Sequence, residues 1–362
     1  MDHASPLPTV FEVDWASESG AEIHWSDRRK QNLSLPISKL PVEILSKILF
    51  LNVFSVDSPM CYYPQDAARL VSQVSHSWRM VALACSSLWG RVIDFARGAP
   101  EWTEELLRRV GQSPIDLYLQ SKTLKTETLA RGLQHFGQAR IFRLMQLSSS
   151  SSSDVDSILT AYLTQKAPHL EQFTLRFTGS RETSFLLPSN FGECSPRLCQ
   201  LELQRCNVDF RLPVFQRLET LSVHNIDAHR APTAAKWLDI LANMPLLARV
   251  TIESATSDVP ENILSPVHLP KLKSLFISSS LLVSAAIICN LIHPDITNVN
   301  LFCTDATLDV DLERLLVRLS RQMSLLNSRS HNPWIGVTIE KMYIRARNWL
   351  GYGFWEGRMG KN

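Results

Sequence analysis

Apolar residues recur in a fixed pattern along the second part of the chain. Five segments carry apolar side chains at their first, fourth and sixth positions: LEQFTL from Leu170, LCQLEL from Leu198, LETLSV from Leu218, LARVTI from Leu247 and LKSLFI from Leu272. The fourth and sixth positions have the two-residue period of a β-strand, which places them on one face and the fifth position on the other. We therefore expect a series of short strands that each bury one face.

Weaker copies extend this series in both directions. They are FRLMQL (Phe142, Met145, Leu147), ITNVNL (Ile296, Val299, Leu301), WIGVTI (Trp334, Val337, Ile339) and PIDLYL (Leu117, Leu119). The copies from 142 to 296 begin 20 to 29 residues apart, which is a spacing typical of repeats that stack one strand on the next. The pattern predicts a repeating α/β solenoid.

The segments between the strands are amphipathic and are predicted to be helices. They are DVDSILTAYLTQ, AAKWLDILANM, LLVSAAIICNLI and DLERLLVRLSRQM. A proline stands shortly before several strands, in APHLEQ, SPRLCQ, MPLLAR and LPKLKS. Because proline cannot continue a helix and favours extended backbone before it, it is predicted to end each helix and begin the approach to the strand.

The first ninety or so residues follow a different pattern. Residues 1–33 show no periodicity and are predicted to be a flexible lead-in. In LPVEILSKILFLNVF, from Leu40, apolar couples lie one helical turn apart, and Pro41 suits the first turn of a helix. Residues 65–89 carry apolar side chains at spacings of three and four, which predicts two more short helices. Such a small helical module buries little surface by itself, so it is predicted to have a partner.

These residues resemble an F-box, in the form common in fungal F-box proteins. The resemblance is carried by LPVEILSKIL, LVSQVSHSWRMVAL and SSLWGRV, with Ser75 where a cysteine often stands. It implies a docking module for the Skp-type adaptor of cullin-RING ubiquitin ligases. The adaptor-facing positions of the family carry over to Leu40, Pro41, Ile44, Leu45 and Ile48, with Trp78 and Val81 continuing or supporting that surface. The simpler alternative is a helical cap on a larger domain.

The repeated part resembles the leucine-rich repeats that follow the F-box in many family members. LCQLELQRC matches the fuller pattern, with Cys206 where Asn or Cys is usual. The expected fold is α/β: a three-helix F-box, then a leucine-rich-repeat solenoid with parallel strands on a concave face and helices on a convex face. The expected boundaries are 1–33 for the lead-in, 34–95 for the F-box, 96–345 for the solenoid and 346–362 for a C-terminal tail or cap.

A binding surface is predicted on the strand face that points away from the core. Position five of successive copies gives the row Thr174, Glu202, Ser222, Thr251, Phe276 and Asn300. Position seven adds Arg176, His224 and Phe302. Aromatic and arginine side chains dominate many protein interfaces, so Arg176, His224, Phe276 and Phe302 are predicted to bind the target protein. The alternative is that the C-terminal tail, or a helix, covers both phenylalanines.

Charge and cysteine content indicate which partners and which cellular compartment to expect. The chain has 37 basic and 35 acidic residues spread along its length, so no nucleic-acid or membrane partner is expected. We find no apolar run of membrane-spanning length and no signal sequence. Seven scattered cysteines favour a reducing compartment, so cytosol or nucleus is expected.

No catalytic or metal-binding pattern stands out in the sequence. Cys194, Cys199 and Cys206 lack zinc-site spacing, and common nucleotide-binding and hydrolase motifs are missing. We expect no metal, no cofactor and no enzymatic activity. The predicted function is a substrate-recruiting subunit of an SCF-type ubiquitin ligase. The alternatives are an interaction scaffold whose F-box is degenerate or binds the adaptor outside a ligase, and an enzyme with an unrecognised site.

Overall fold

The computed structural model of the chain describes residues 27–54, 64–96, 98–120, 125–147, 152–177, 185–192, 195–227, 229–257, 265–292, 296–303, 334–340 and 343–348. The chain divides into two compact units, Met1–Val92 and Ile93–Asn362. We call them the N-terminal unit and the sheet unit. The division falls three residues before the boundary expected after residue 95.

The described part of the N-terminal unit is helical. Residues 27–34 form α1, and a 3₁₀ turn at Pro36–Lys39 leads into α2 (Val42–Phe54), α3 (Pro64–Val71), α4 (His76–Ala84) and α5 (Ser86–Trp89). Helices α2, α3 and α4 all contact one another. The side chain of Ser75 accepts a hydrogen bond of 3.2 Å from the backbone N–H of Trp78, and this N-cap fixes the start of α4.

The core of this unit lies between the short helices. Leu45, Leu49 and Val53 are buried along one side of α2. Trp89 is also fully buried, and its indole N–H donates to the carbonyl of Ala82 at 2.7 Å. Because a buried indole N–H needs a partner, this bond ties α5 to the end of α4.

The sheet unit is an open α/β arrangement built on one large sheet. Its strands are β1 (Ile115–Gln120), β2 (Ala139–Leu147), β3 (Gln172–Phe177), β5 (Gln200–Gln204), β7 (Thr220–His224), β8 (Arg249–Glu253), β10 (Ser274–Ser279), β12 (Asn298–Cys303), β13 (Trp334–Glu340) and β14 (Tyr343–Asn348). The order is β1-β2-β3-β5-β7-β8-β10-β12-β14-β13, and the first eight are parallel. The prediction of an α/β unit with a large parallel sheet is confirmed.

Helices and short strand pairs connect the long strands. The helices are α6 (Pro100–Val110), α7 (Thr126–Leu133), α8 (Ser152–Leu163), α9 (Ala234–Ala242) and α10 (Leu281–Cys289). Three of the four helices predicted between strands are confirmed as α8, α9 and α10, and the fourth, DLERLLVRLSRQM, lies outside the described residues. The short pairs are β4 (Phe185–Leu186) with β6 (Cys206–Asn207) and β9 (Val267–His268) with β11 (Leu291–Ile292). None of the described helices is both long and apolar enough to cross a membrane.

The repeated pattern determines how each strand begins. Leucines at position one donate their N–H to the carbonyl three residues earlier, at 3.1 to 3.2 Å, in the pairs Leu170–Ala167, Leu198–Ser195, Leu247–Met244 and Leu272–Leu269. Each pair closes a tight turn whose second residue is a proline: Pro168, Pro196, Pro245 and Pro270. Proline at this place fixes the backbone angle that the turn requires. The prolines therefore build the turn as well as ending the preceding element.

Three strands end in a shared way that the residue types did not reveal. Arg205, Asn225 and Ser254 stand at position eight and have positive φ angles of 56°, 53° and 47°. Their N–H groups donate to position-seven carbonyls of the next strand, those of His224, Glu253 and Ser278, at 2.8 to 3.0 Å. This conformation is unfavourable for residues with a side chain, and the hydrogen bond to the neighbouring strand helps to stabilise it.

Two of the weaker copies are corrected by the strand register. Phe142 pairs with Phe173, a position-four residue, so Phe142 is at position four rather than one. With the copy shifted by three residues, Leu144 lies in the core. Met145 then lies beside Arg176, on the opposite face. The segment WIGVTI forms β13, but β14 separates it from β12 and pairs antiparallel with both. It is therefore not the next parallel strand. Apolar alternation fits either register and either direction, so the sequence could not distinguish them.

Candidate interaction surfaces

The predicted adaptor-binding residues differ in exposure. Pro41 is exposed, Ile44 is 47% exposed, and Leu40, Ile48 and Trp78 are half-buried. In contrast, Leu45 is 2% exposed and Val81 is 8% exposed. These two side chains belong to the core, so only the other five can offer a surface to a partner in this conformation.

Helix α2 carries apolar residues on two sides. Leu45, Leu49 and Val53, at spacings of four, form its buried side. Ile44, Ile48 and Leu51, at spacings of four and three, lie on a second side, where Ile44 and Leu51 are exposed. The adjacent apolar couples in the sequence therefore supply one residue to each side. We call Ile44, Ile48 and Leu51 the outer apolar face of α2.

Exposed large apolar side chains are concentrated in the N-terminal unit. Among the described residues this unit has Leu33, Leu35, Ile37, Val42, Ile44, Leu51, Leu70, Val74 and Met80, and the sheet unit has Leu186, Leu282 and Ile292. Single exposed apolar residues are ordinary on protein surfaces. Nine of these twelve lie in the smaller of the two units.

The face of the sheet opposite its apolar core is lined by the residues at positions three, five and seven, and we call it the polar face. Strand pairing places the predicted position-five residues side by side in the order Thr174, Glu202, Ser222, Thr251, Phe276 and Asn300. The predicted row is confirmed. Thr174 is buried, and the other five are half-buried.

Charged side chains form a connected network across four strands of this face, β3, β5, β7 and β8. The guanidinium of Arg176 donates a hydrogen bond to Glu202, whose other carboxylate oxygen accepts one from the Thr174 hydroxyl at 3.3 Å. Nδ1 of His224 is 2.7 Å from Glu253, and its Nε2 is 3.8 Å from Glu202. Arg176 and His224 are thus joined through the carboxylates of Glu202 and Glu253.

Phe276 and Phe302 are half-buried on the same polar face, on the neighbouring strands β10 and β12. Strand β8 lies between them and His224. At about 4.8 Å per strand, His224 and Phe276 are roughly 10 Å apart across the sheet. The four predicted target-binding residues therefore form two groups on one face, Arg176 with His224 and Phe276 with Phe302. The tail proposed as a cover for the phenylalanines was expected at 346–362, but residues 346–348 belong to β14, and residues 349–362 lie outside the described residues.

The sequence prediction missed the part of Glu253 in this network. Glu253 stands at position seven of LARVTIE, directly beside His224 in the strand register. Extending the position-seven row to every copy would have identified it. The binding geometry of Glu202 needed the structure, because its side chain contacts residues on two different strands.

The surroundings of Cys199 and Cys206 do not favour a reactive thiol. Burial raises the pKa of the Cys199 thiol, and the charges of Glu219 and Glu171 raise it further. The thiol of Cys206 is buried near the carbonyls of Leu175 and Gln204. A thiol with a raised pKa is a poor nucleophile at neutral pH. No group of three or more potential metal ligands occurs within the described ranges, and Cys194 lies outside them.

One cleft of about 480 Å³ lies beside α9 in the sheet unit. Phe210, Pro232 and Ile240 contribute apolar surface to it, and Asp209 and Arg211 contribute an exposed ion pair. Hydrogen bonds from Arg211 lower the pKa of Asp209. None of the predicted site residues lines this cleft, so it is separate from the polar face.

In comparisons with known proteins, no family model matches the chain and no curated protein sequence matches it. Functional inference therefore depends on the surfaces described above.

Proposed function

We propose that this chain is a substrate-recruiting subunit of an SCF-type cullin-RING ubiquitin ligase. In this proposal the N-terminal unit is an F-box that binds a Skp-type adaptor, and the sheet unit is a leucine-rich-repeat solenoid that binds the target protein. The observation that carries the proposal is the concentration of exposed large apolar side chains on the helices that resemble an F-box.

The outer apolar face of α2 supports the adaptor-binding part. Ile44 and Leu51 are 47% and 55% exposed although the same helix already buries Leu45 and Leu49. Covering such side chains would favour association by about 25 cal/mol for each Å² of apolar surface removed from water. Leu45 and Val81 then contribute by holding the helices in place, and Pro41, Ile44 and Ile48 touch the adaptor with Leu51.

The polar face supports the target-binding part. It offers a row of half-buried polar residues, a hydrogen-bonded network of charged and polar side chains around Glu202, and the two phenylalanines Phe276 and Phe302. A broad surface with a few aromatic anchors suits a protein partner. The chain would contribute by holding the target close to the ubiquitin-charged enzyme, and the bond-making residues would belong to other subunits.

The adaptor-binding part is tested with the full chain and the double variant Ile44→Asp, Leu51→Asp. We expect this variant to lose at least 100-fold in affinity for a purified Skp-type adaptor, because two carboxylates would be buried against an apolar surface. Leu282→Asp is the matched control, since Leu282 is 67% exposed on α10 of the sheet unit. The control should bind normally.

The outcome is judged together with the melting temperature and with co-purified subunits. A double variant that keeps its melting temperature and still binds the adaptor as tightly as the unaltered chain would refute the docking surface. Recovery of a cullin with the adaptor from cells supports a ligase subunit. Recovery of the adaptor without a cullin supports instead an interaction scaffold.

A further inference from the structure

The connection between β5 and β7 is short, and it contains no α-helix. The copies of the repeat that form these strands begin at Leu198 and Leu218, 20 residues apart, whereas the next copy begins 29 residues further on, at Leu247. Residues 195–227 are all described, and the only helical element among them is a 3₁₀ turn at Pro213–Arg217. The longer connection contains α9. Helix α9 therefore has α10 as a neighbour and, toward β5, a connection without an α-helix.

The cleft beside α9 lies at this place, between the helix and residues 208–211. Its floor contains Phe210, whose ring centre lies 5.4 Å from that of Trp237 and 6.0 Å from that of Phe215. The rest of its apolar lining is half-buried: Val208, Pro232 and Ile240. The volume of about 480 Å³ is in the range of ligand sites, roughly 300 to 1,000 Å³. The floor is thus held by aromatic packing and can accept apolar side chains.

The rim of the cleft is charged. Lys236 and Asp239 lie one turn apart on the side of α9 that lines the cleft, while Trp237, Leu238 and Leu241 are buried on its other side. Both charged side chains are exposed, and neither forms an ion pair with any described residue. On the facing wall, by contrast, Arg211 donates hydrogen bonds of 2.9 and 3.0 Å to Asp209. Helix α9 therefore presents two charges of opposite sign that are available to a partner.

We propose that the cleft beside α9 binds a short amphipathic helix of a partner protein. The bound helix lies next to α9, with apolar side chains against Phe210 and Ile240, a carboxylate near Lys236 and a cation near Asp239. Neighbouring helices pack with their axes 8–10 Å apart, and helices bound in grooves are recognised through apolar residues three and four positions apart. The inference goes beyond the proposed function and does not depend on adaptor docking, because no residue of the cleft belongs to the N-terminal unit.

A helix suits this cleft better than a small molecule does. Small-molecule sites are lined mainly by apolar side chains and enclose most of the ligand. Here five of the nine lining residues are charged or polar, and all five are exposed: Asp209, Arg211, Lys236, Asp239 and Asn243. The lining residues of α9 extend from Lys236 to Asn243, about 10 Å along the helix axis. That length matches two turns of a second helix.

Two alanine-based peptides of 15 residues serve as probes, each acetylated, amidated and labelled with fluorescein. Both carry leucine at peptide positions 4, 8 and 11, which form one apolar stripe on a helix. The first peptide has glutamate at peptide position 5 and lysine at peptide position 9, and the second has these two residues exchanged. The pair covers both directions in which a helix can lie along α9. Fluorescence anisotropy measures binding to the full chain at 50 mM NaCl.

We expect the unaltered chain to bind one peptide at least fivefold more tightly than the other. Only one of them can place opposite charges beside Lys236 and Asp239, and each exposed ion pair contributes a modest factor. The variant Lys236→Glu, Asp239→Lys should reverse this preference. The control variant Lys125→Glu, Glu127→Lys exchanges two exposed charges at the start of α7 and should keep it. No binding of either peptide to the unaltered chain at 1 mM, or an unchanged preference in the first variant, would overturn the proposal.

The apolar part of the contact is tested with Ile240→Asp. We expect this variant to bind the preferred peptide at least tenfold more weakly, because a carboxylate would be buried against leucine side chains. Ile292→Asp is the matched control, since Ile292 is 50% exposed on β11, and it should bind normally. Equal affinities of the two variants would contradict docking in the cleft. The charge exchange changes only exposed side chains, so it tests the proposal even if Ile240→Asp lowers the melting temperature.

Discussion

The N-terminal unit and the sheet unit differ in how completely they bury their large apolar side chains. In the sheet unit, the strands place apolar residues on one face, and all those at positions four and six from Phe173 to Leu301 are at most 8% exposed. In the N-terminal unit, α2 buries one apolar side and exposes another. A large sheet can bury its apolar face against a layer of helices, whereas a small unit of five short helices buries a smaller fraction of its surface. The described helices of the smaller unit therefore leave several of its large apolar side chains exposed.

Poor packing does not account for this difference. Each unit contains a fully buried tryptophan whose indole N–H donates to a backbone carbonyl, Trp89 to Ala82 at 2.7 Å and Trp237 to Ala255 at 2.9 Å. Both interiors are thus specific, because a buried indole is tolerated only where its N–H has a partner. The N-terminal unit has a defined core and, in addition, apolar residues that the core does not use.

The largest expected effect is a loss of stability, tested by the same substitution, Phe→Ala, on the two faces of the sheet. Phe173 is 1% exposed, and its ring centre lies 5.0 Å from that of Phe142 and 4.6 Å from that of Phe191. We expect Phe173→Ala to lower the free energy of unfolding by about 3 to 5 kcal/mol. Phe276→Ala, on the polar face, should cost about 1 to 2 kcal/mol, since its ring is only half-buried. Urea unfolding measures both, and equal losses would contradict the assignment of the two faces.

The next largest effect is a difference in stability between variants of two neighbouring residues on α2, Leu45 and Ile44. Leu45→Ala should destabilise the N-terminal unit by about 2 to 3 kcal/mol, and Ile44→Ala should change its stability by about 0.5 kcal/mol or less. Their exposures of 2% and 47% are the reason. Hydrogen exchange of the backbone amides of α2 and α4 reports on this unit separately from the sheet. If Ile44→Ala weakens protection as much as Leu45→Ala, the outer apolar face is packed within the chain.

The smallest expected effect is a dependence of the stability of the sheet unit on pH. His135 is half-buried and stacks on Phe95 with ring centres 5.7 Å apart, and burial lowers its pKa from the ordinary value of 6.5. The unfolded chain therefore binds a proton at a higher pH than the folded chain does. Stability should fall as the pH drops below about 6.5.

The control for this prediction is a histidine on the surface. His135→Gln should flatten the fall in unfolding free energy between pH 7 and pH 5, whereas His268→Gln, which changes an exposed residue of β9, should leave it as in the unaltered chain. Identical pH profiles for the unaltered chain and the His135→Gln variant would show that burial of this ring has no influence on stability.

Much of the sheet unit could be predicted from apolar spacing. The five leucine-initiated copies, together with ITNVNL, predicted their strands, their buried positions and the order of the row from Thr174 to Asn300, because strand alternation is a local property. The register of β2 and the antiparallel placement of β13 and β14 could not be predicted in this way. Both depend on which neighbouring strand forms the hydrogen bonds, and alternation is the same for every choice.

For the outer apolar face of α2 and the polar face of the sheet, the sequence predicted the residue types but not their contacts. Spacing showed that α2 is rich in apolar residues, but it did not show which member of each couple is buried, because Ile44 and Leu45 are equally apolar. Sequence also placed Arg176 and His224 on one face, yet their contacts with Glu202 and Glu253 were not predicted, since these carboxylates lie on other strands.

The sequence by itself determined the helical start, the strands of the leucine-initiated copies and the apolar positions of the sheet, all of which follow from periodicities within one element. Only the tertiary structure decided that Leu45 is core and Ile44 is surface, that Arg205, Asn225 and Ser254 adopt the left-handed conformation, and that Glu202 and Glu253 contact Arg176 and His224. These features arise from contacts between residues far apart in the chain, and the energy of such a contact depends on the partner as much as on the residue itself.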